Sequence, residues 1–104
     1  MRVLVVFREG PAQAARVRDG IDLALAALAF DHEVDVLFLG AGAELLRGAD
    51  AELAANLRAL PFHGTHAIGV DAALASDGPV FAAQPLDADG QRAWFAAATH
   101  VFAC

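Results

Sequence analysis

The run Arg2-Val3-Leu4-Val5-Val6-Phe7 offers no polar position to water after its first residue, and Arg8, Glu9, Gly10 and Pro11 close it. A strand with one wet face alternates apolar and polar residues. An unbroken β-branched and aromatic run is a strand covered on both faces. Such strands belong to parallel sheets with helices packed against them.

The chain beyond this run supplies the covering helices and the neighbouring strands. Pro11 suits a first helical turn. Val17, Ile21, Leu25 and Leu28 then recur at helical spacing, with Arg16, Arg18, Asp19 and Asp22 largely on the other side. A second strand over 34–39 follows Asp31-His32-Glu33 and stops at Gly40-Ala41-Gly42. Strand, helix and strand in this order make a βαβ unit with a right-handed crossover. A turn of helix is expected at 44–46, broken by Gly48. Asp50 then caps a helix carrying Leu53, Leu57 and Leu60, which Pro61 ends.

A short third strand is expected over 67–70 and a short helix over 71–76, closed by Asp77-Gly78-Pro79. A weak fourth strand over 80–83 follows, then a helix capped by Asp87 and running through Ala98, and a final strand over 99–103. The expected fold class is α/β: a single-domain, three-layer, doubly wound sheet of about five strands, mostly or all parallel, of flavodoxin-like type.

A chain of 104 residues has room for one core, which spans 1–104 as one domain. Its apolar fraction of 58% is high, and much of the excess is alanine, which suits helices lying close on a flat sheet. The formal net charge is -6 and no basic stretch could neutralise a run of phosphates, so nucleic acid and anionic membrane are not expected as direct partners. The start lacks the pattern of a secretory signal and no apolar run is long enough for a bilayer. With one cysteine no internal disulfide forms, and the expected compartment is the cytoplasm.

Ligands of open parallel sheets bind outside the carboxyl ends of the strands, which here are the segments 8–12, 40–44, 70–73 and 84–86, together with Cys104. Arg8, Glu9, Val70 and Asp71 are the candidate ligand-binding residues of this rim, and Asp71 is also placed to cap a helix. Gly40-Ala41-Gly42 lacks the third glycine of a dinucleotide loop and follows the wrong strand, so it reads as a tight turn. His63 and His66 stand at a metal-compatible spacing with no further ligand nearby to complete a set; neither a metal nor a cofactor is expected. Trp94 and Phe95 point about 100° apart on their helix, which makes them either a subunit contact or a wide core-facing stripe. Cys104, the last residue, reads first as an inert terminal side chain, because no basic neighbour in the sequence would lower its pKa, and second as a thiol exposed and mobile enough to react; any thiol chemistry of this chain falls to it.

Arg18-Asp19-Gly20-Ile21-Asp22-Leu23-Ala24-Leu25 and Val36-Leu37-Phe38-Leu39 with Gly42 resemble the DsrE/DsrF-type sulfur-relay proteins. Gln84-Pro85-Leu86-Asp87-Ala88-Asp89 is most similar to the DsrF or TusC branch. The resemblance implies the same α/β fold, assembly into dimers, trimers or hexamers, and passage of sulfane sulfur between cysteine persulfides in sulfur oxidation or transfer-RNA thiolation. It places the active cysteine of the sulfur-carrying members after the third strand, which matches Val70-Asp71-Ala72-Ala73, where no cysteine stands. No catalytic residue is therefore carried over.

The function implied is that of a non-catalytic subunit packing against itself or against homologous, cysteine-bearing sulfur-relay subunits. A second reading has Cys104 replace the missing thiol as persulfide carrier; if its strand lies two away from the third, roughly 10 Å separates the two positions. A third is a small-ligand module using the rim.

Overall fold

The computed structural model describes residues 1–47, 51–75 and 82–104. The expected breaker Gly48, the cap Asp50, the turn Asp77-Gly78-Pro79 and the first half of the expected fourth strand lie outside the described residues.

Five strands, β1 (Arg2–Phe7), β2 (Glu33–Phe38), β3 (Ala67–Asp71), β4 (Gln84–Leu86) and β5 (His100–Ala103), pair entirely in parallel in the order β4-β3-β2-β1-β5. Helix α1 (Ala14–Ala29) connects β1 to β2, α2 (Ala51–Phe62) connects β2 to β3, and α3 (Ala88–Ala97) connects β4 to β5. The first two crossovers step one way along the sheet, and the last jumps back beyond β1. Right-handed crossovers therefore put α1 and α2 on one face and α3 on the other. This is the three-layer, doubly wound α/β arrangement.

The alternation of side chains along β1 shows why its run has no polar gap. Val3, Val5 and Phe7 join Val34, Val36 and Phe38 of β2 beneath Val17, Ile21 and Ala24 of α1 and Leu53, Leu57 and Leu60 of α2. Leu4 and Val6 turn to the opposite face, where they meet Leu37, Leu86 and the half-buried Trp94 and Ala98. Phe7 and Phe38 are register partners, and their rings stack at 5.2 Å. Each fully buried side chain of this size contributes about 1.5–3 kcal/mol relative to exposure.

Several boundaries differ from the sequence expectation. Pro11–Gln13 form a 3-10 turn before α1 starts. That helix ends where Asp31 adopts the left-handed conformation (φ 61°), with Asp31 N–H donating to Leu28 O and His32 N–H to Ala27 O. This closes the last carbonyls as a glycine would. Helix α2 runs through Pro61 to Phe62, because a proline in the final turn forfeits one bond while His63 N–H still reaches Ala59 O at 2.9 Å.

The fourth strand is Gln84–Leu86; of the expected 80–83 segment, the described residues Ala82 and Ala83 are not in a strand. Alanine carries no strand signal, whereas Pro85 is acceptable because β4 is an edge among the described strands. Between β3 and β4 the described residues contain one 3-10 turn, Ala72–Leu74, in place of the longer helix expected.

Candidate functional site

The strand order changes direction between β1 and β5, and crevices at such switch points are where open parallel sheets hold ligands. The carboxyl ends of these two strands are tied by backbone bonds. Cys104 N–H donates to Val6 O at 2.8 Å, and Arg8 and Glu9 N–H both donate to Cys104 O, at 2.9 and 3.1 Å. Cys104 thus continues the β5 ladder and is half-buried, not an exposed terminal side chain. Arg8 itself is exposed and Glu9 half-buried.

The glycine turn after β2 completes this part of the rim. Leu39 N–H donates to Phe7 O at 3.0 Å, and Gly42 lies so close to β1 that a Cβ there would overlap the Phe7 carbonyl. Gly42 N–H closes the turn on Leu39 O at 2.9 Å, so Gly40-Ala41-Gly42 is the tight turn its spacing indicates.

A shallow cleft of about 280 Å³ opens beside Cys104, lined by Arg16, Asp19 and Ala103. Burial pushes the Cys104 thiol above its ordinary range, and the Asp19 carboxylate pushes it further in the same direction. Both effects keep it protonated and weaken it as a nucleophile. The helix approaches here through Gly20, where a Cβ would stand 2.6 Å from Cys104 Sγ and 2.7 Å from Phe7 Cε1. The glycine of Arg18-Asp19-Gly20-Ile21 is thereby a packing position for α1 against the β1–β5 end.

The remaining candidates are placed apart from this cleft. Asp71 ends β3 and caps the following turn, its Oδ1 accepting from Ala73 N–H at 3.1 Å. Val70 is buried in the core on the α1–α2 face. Three strand spacings separate β3 from β5, not two, because β5 adds beyond β1. The Asp71 and Cys104 ends therefore stand about 14 Å apart. Trp94 faces inward, its ring against Gly69 and the buried leucines, while Phe95 is 39% exposed.

His66 is engaged at the opposite, amino end of the sheet, in a cluster that sequence reasoning missed. Asp35 of β2 is buried and accepts from Arg2 Nε at 2.9 Å, while its other oxygen lies 2.8 Å from His66 Nδ1. His66 Nε2 lies 3.0 Å from Glu33 Oε1. The Asp35 carboxylate raises the Arg2 pKa by hydrogen bonding and by charge. The signal was an aspartate inside an apolar strand, which is admitted only with partners. His63 is exposed and edge-on to Phe62. Among the described residues no three His, Cys, Asp or Glu side chains gather as a metal site, and no helix is long and apolar enough to cross a membrane.

With this geometry in hand, comparison with known proteins gives three findings. Residues 1–75 match the profile of the DsrE/DsrF-like family. Over 77 residues the chain is 38% identical to the protein TusC homolog of Pseudomonas aeruginosa; the match takes in 67% of this chain and 65% of that relative. The fold superposes on the crystal structure of the ychN protein from E. coli with a TM-score of 0.81, at 11% identity, over 100% of this chain and 99% of that one. The chain belongs to the DsrE/DsrF-like family.

Proposed function

We propose that this protein is a non-catalytic subunit of a sulfur-relay system, contributing a fold and a docking surface to cysteine-bearing homologues. The observation that carries the reading is the end of β3. There the family resemblance calls for a thiol, and this chain has Val70 in the core and Asp71 spent on a backbone cap. Neither group can form a persulfide.

Cys104 is a poor substitute: it stands about 14 Å away across three strand spacings, sits under α1 beside Gly20, and has its thiol held protonated. Two measurements test the proposal together. Co-expression with the cysteine-bearing family members of the source organism should give a stable complex on affinity purification. Mass spectrometry after treatment with a persulfide donor should place added sulfur on the partners and none on Cys104. A chain that binds no homologue, or that loads sulfur on Cys104 and hands it on, would overturn the reading.

A further inference from the structure

Alanine at positions 26 and 27 leaves the flank of α1 low, and α1 lies over β1 and β2, so β5 stays largely uncovered on the same sheet face. The two gaps join into an apolar groove of about 270 Å³. Its wall is Leu23, Ala26 and Ala27 of α1, and its floor is Val3 of β1 and Phe102 of β5. Because α1 runs antiparallel to the strands it connects, Leu23 and Phe102 mark the inner end, and Met1, Phe30, His32 and His100 gather at the amino end of the sheet.

The polar side chains of this groove are two imidazoles at one end. The chain has 13 acidic residues, yet among the described residues no acid, lysine or arginine lines the groove. Arg2 and Glu33, next to its mouth in sequence, are engaged elsewhere, Arg2 with Asp35 and Glu33 with His66. Among the described residues His32 makes no side-chain hydrogen bond, and His100 has only a 3.5 Å contact from Nδ1 to Thr99 Oγ1. Each can therefore still donate an N–H to a guest at the amino end. His100 and Phe102 lie nearly parallel, 13° apart with ring centroids at 6.4 Å, which gives the groove one flat aromatic side.

We propose that this groove binds a small aromatic carboxylate, its ring between Leu23 and Phe102 and its carboxylate toward His32 and His100. An apolar cavity of about 150 Å³ holds benzene, so the space here takes a two-ring body. The flat side formed by Phe102 and His100, with the Phe30 ring and the Met1 thioether, favours an aryl over a branched aliphatic body. An anionic head meets N–H donors and no carboxylate, whereas an ammonium head would find no charge to pair with. Phe30 is 77% and Phe102 39% exposed, and the guest withdraws apolar surface of both rings from water. The groove lies at the opposite end of the sheet from the Asp71 rim, so this site goes beyond the subunit reading without resting on it.

Amide NMR of the full, isotope-labelled chain titrated with 2-naphthoate tests the site. Saturable shifts are expected at 23–32 and 100–102, with a dissociation constant in the millimolar range or tighter, as the size of the probe allows. The cationic analogue 2-naphthylmethylammonium should bind about tenfold more weakly. Ala26→Phe fills the groove from an exposed position of α1 and should weaken 2-naphthoate at least about tenfold, with unchanged circular dichroism showing the fold intact. His32→Leu combined with His100→Leu keeps the walls apolar. It should weaken 2-naphthoate about tenfold and neutral 2-naphthalenemethanol by no more than about twofold. The absence of saturable shifts up to about 10 mM overturns the proposal, as it would if another protein chain covered the groove. Equal binding of the anionic and cationic probes, binding untouched by Ala26→Phe, or shifts confined to other residues each overturn it as well. Co-purification with cysteine-bearing homologues is read separately, so an empty groove would overturn this site alone and leave the subunit reading standing.

Discussion

Replacing Asp35 by alanine tests the cluster that joins the first three strands at their amino ends. The side chain is 2% exposed and holds two charge-assisted contacts, to Arg2 at 2.9 Å and to His66 at 2.8 Å. Removing one member of a buried ionic cluster costs about 3–5 kcal/mol when the partners stay dry. Here they do not: the Arg2 side chain keeps 35% and that of His66 51% of its surface exposed, so both recover water. The expected loss is therefore about 2–3 kcal/mol, which for a domain of this size lowers the melting temperature by roughly 8–20 °C. Thermal and urea unfolding followed by circular dichroism measure it, with an unchanged urea slope showing that the unfolded state is the same. Asp35→Leu should lose less than Asp35→Ala, because a larger apolar side chain refills the site beside the leucines of the α3 face. A loss below about 0.5 kcal/mol for Asp35→Ala would place the cluster among ordinary surface ion pairs and refute the reasoning.

Three further outcomes follow from the same structure. Gly42→Ala should destabilise by more than the usual glycine-to-alanine change, since the new methyl meets backbone, the Phe7 carbonyl, that cannot rotate away; urea titration should give a loss of at least about 2 kcal/mol. Asp87→Ala removes the acceptor of the Gly90 N–H at 2.7 Å and should cost about 1 kcal/mol in the same assay. Alkylation of Cys104 by iodoacetamide should be slower at neutral pH than that of a small free thiol, and its pH profile should rise at higher pH. Because the folded thiol is raised above its unfolded value, this group favours the fold at neutral pH and withdraws that support as pH climbs through the folded pKa. Stability should therefore fall on the alkaline side, and less so in Cys104→Ser.

The main elements were legible where side-chain pattern reflects local environment. The unbroken run 2–7, the helical spacing of Val17 and Ile21, and the caps Asp71 and Asp87 all sit where pattern and capping chemistry put them. The fourth strand was misplaced because Ala82 and Ala83 pack in either state, and because Pro85 hides a strand that only an edge position permits. Strand order was beyond reach of the pattern, and with it the extra spacing that separates Cys104 from the end of β3. Asp35 lay in plain view, but its partners come from residues 2 and 66, brought to it by sheet register and not by sequence proximity. The rim candidates were legible as strand ends; which of them share a cleft was decided by the jump of the last crossover.

That last crossover also orders events in time. Strand β1 stands between its neighbour β2 and a strand that begins ninety-eight positions later, with Thr99 Oγ1 closing on Arg2 O at 2.8 Å. Closing so long a loop carries a large entropic cost before any contact offsets it, whereas β1, α1, β2, α2 and β3 assemble from sequence neighbours. The amides of Leu4, Val6 and Arg8, which alternate toward β5, should gain protection later than those of Val5 and Phe7 in pulse-labelled hydrogen exchange during refolding; simultaneous protection would contradict this order. Until β5 arrives, one side of the most apolar strand stays open, so the fold depends on its last-formed ladder to shield its first-formed one.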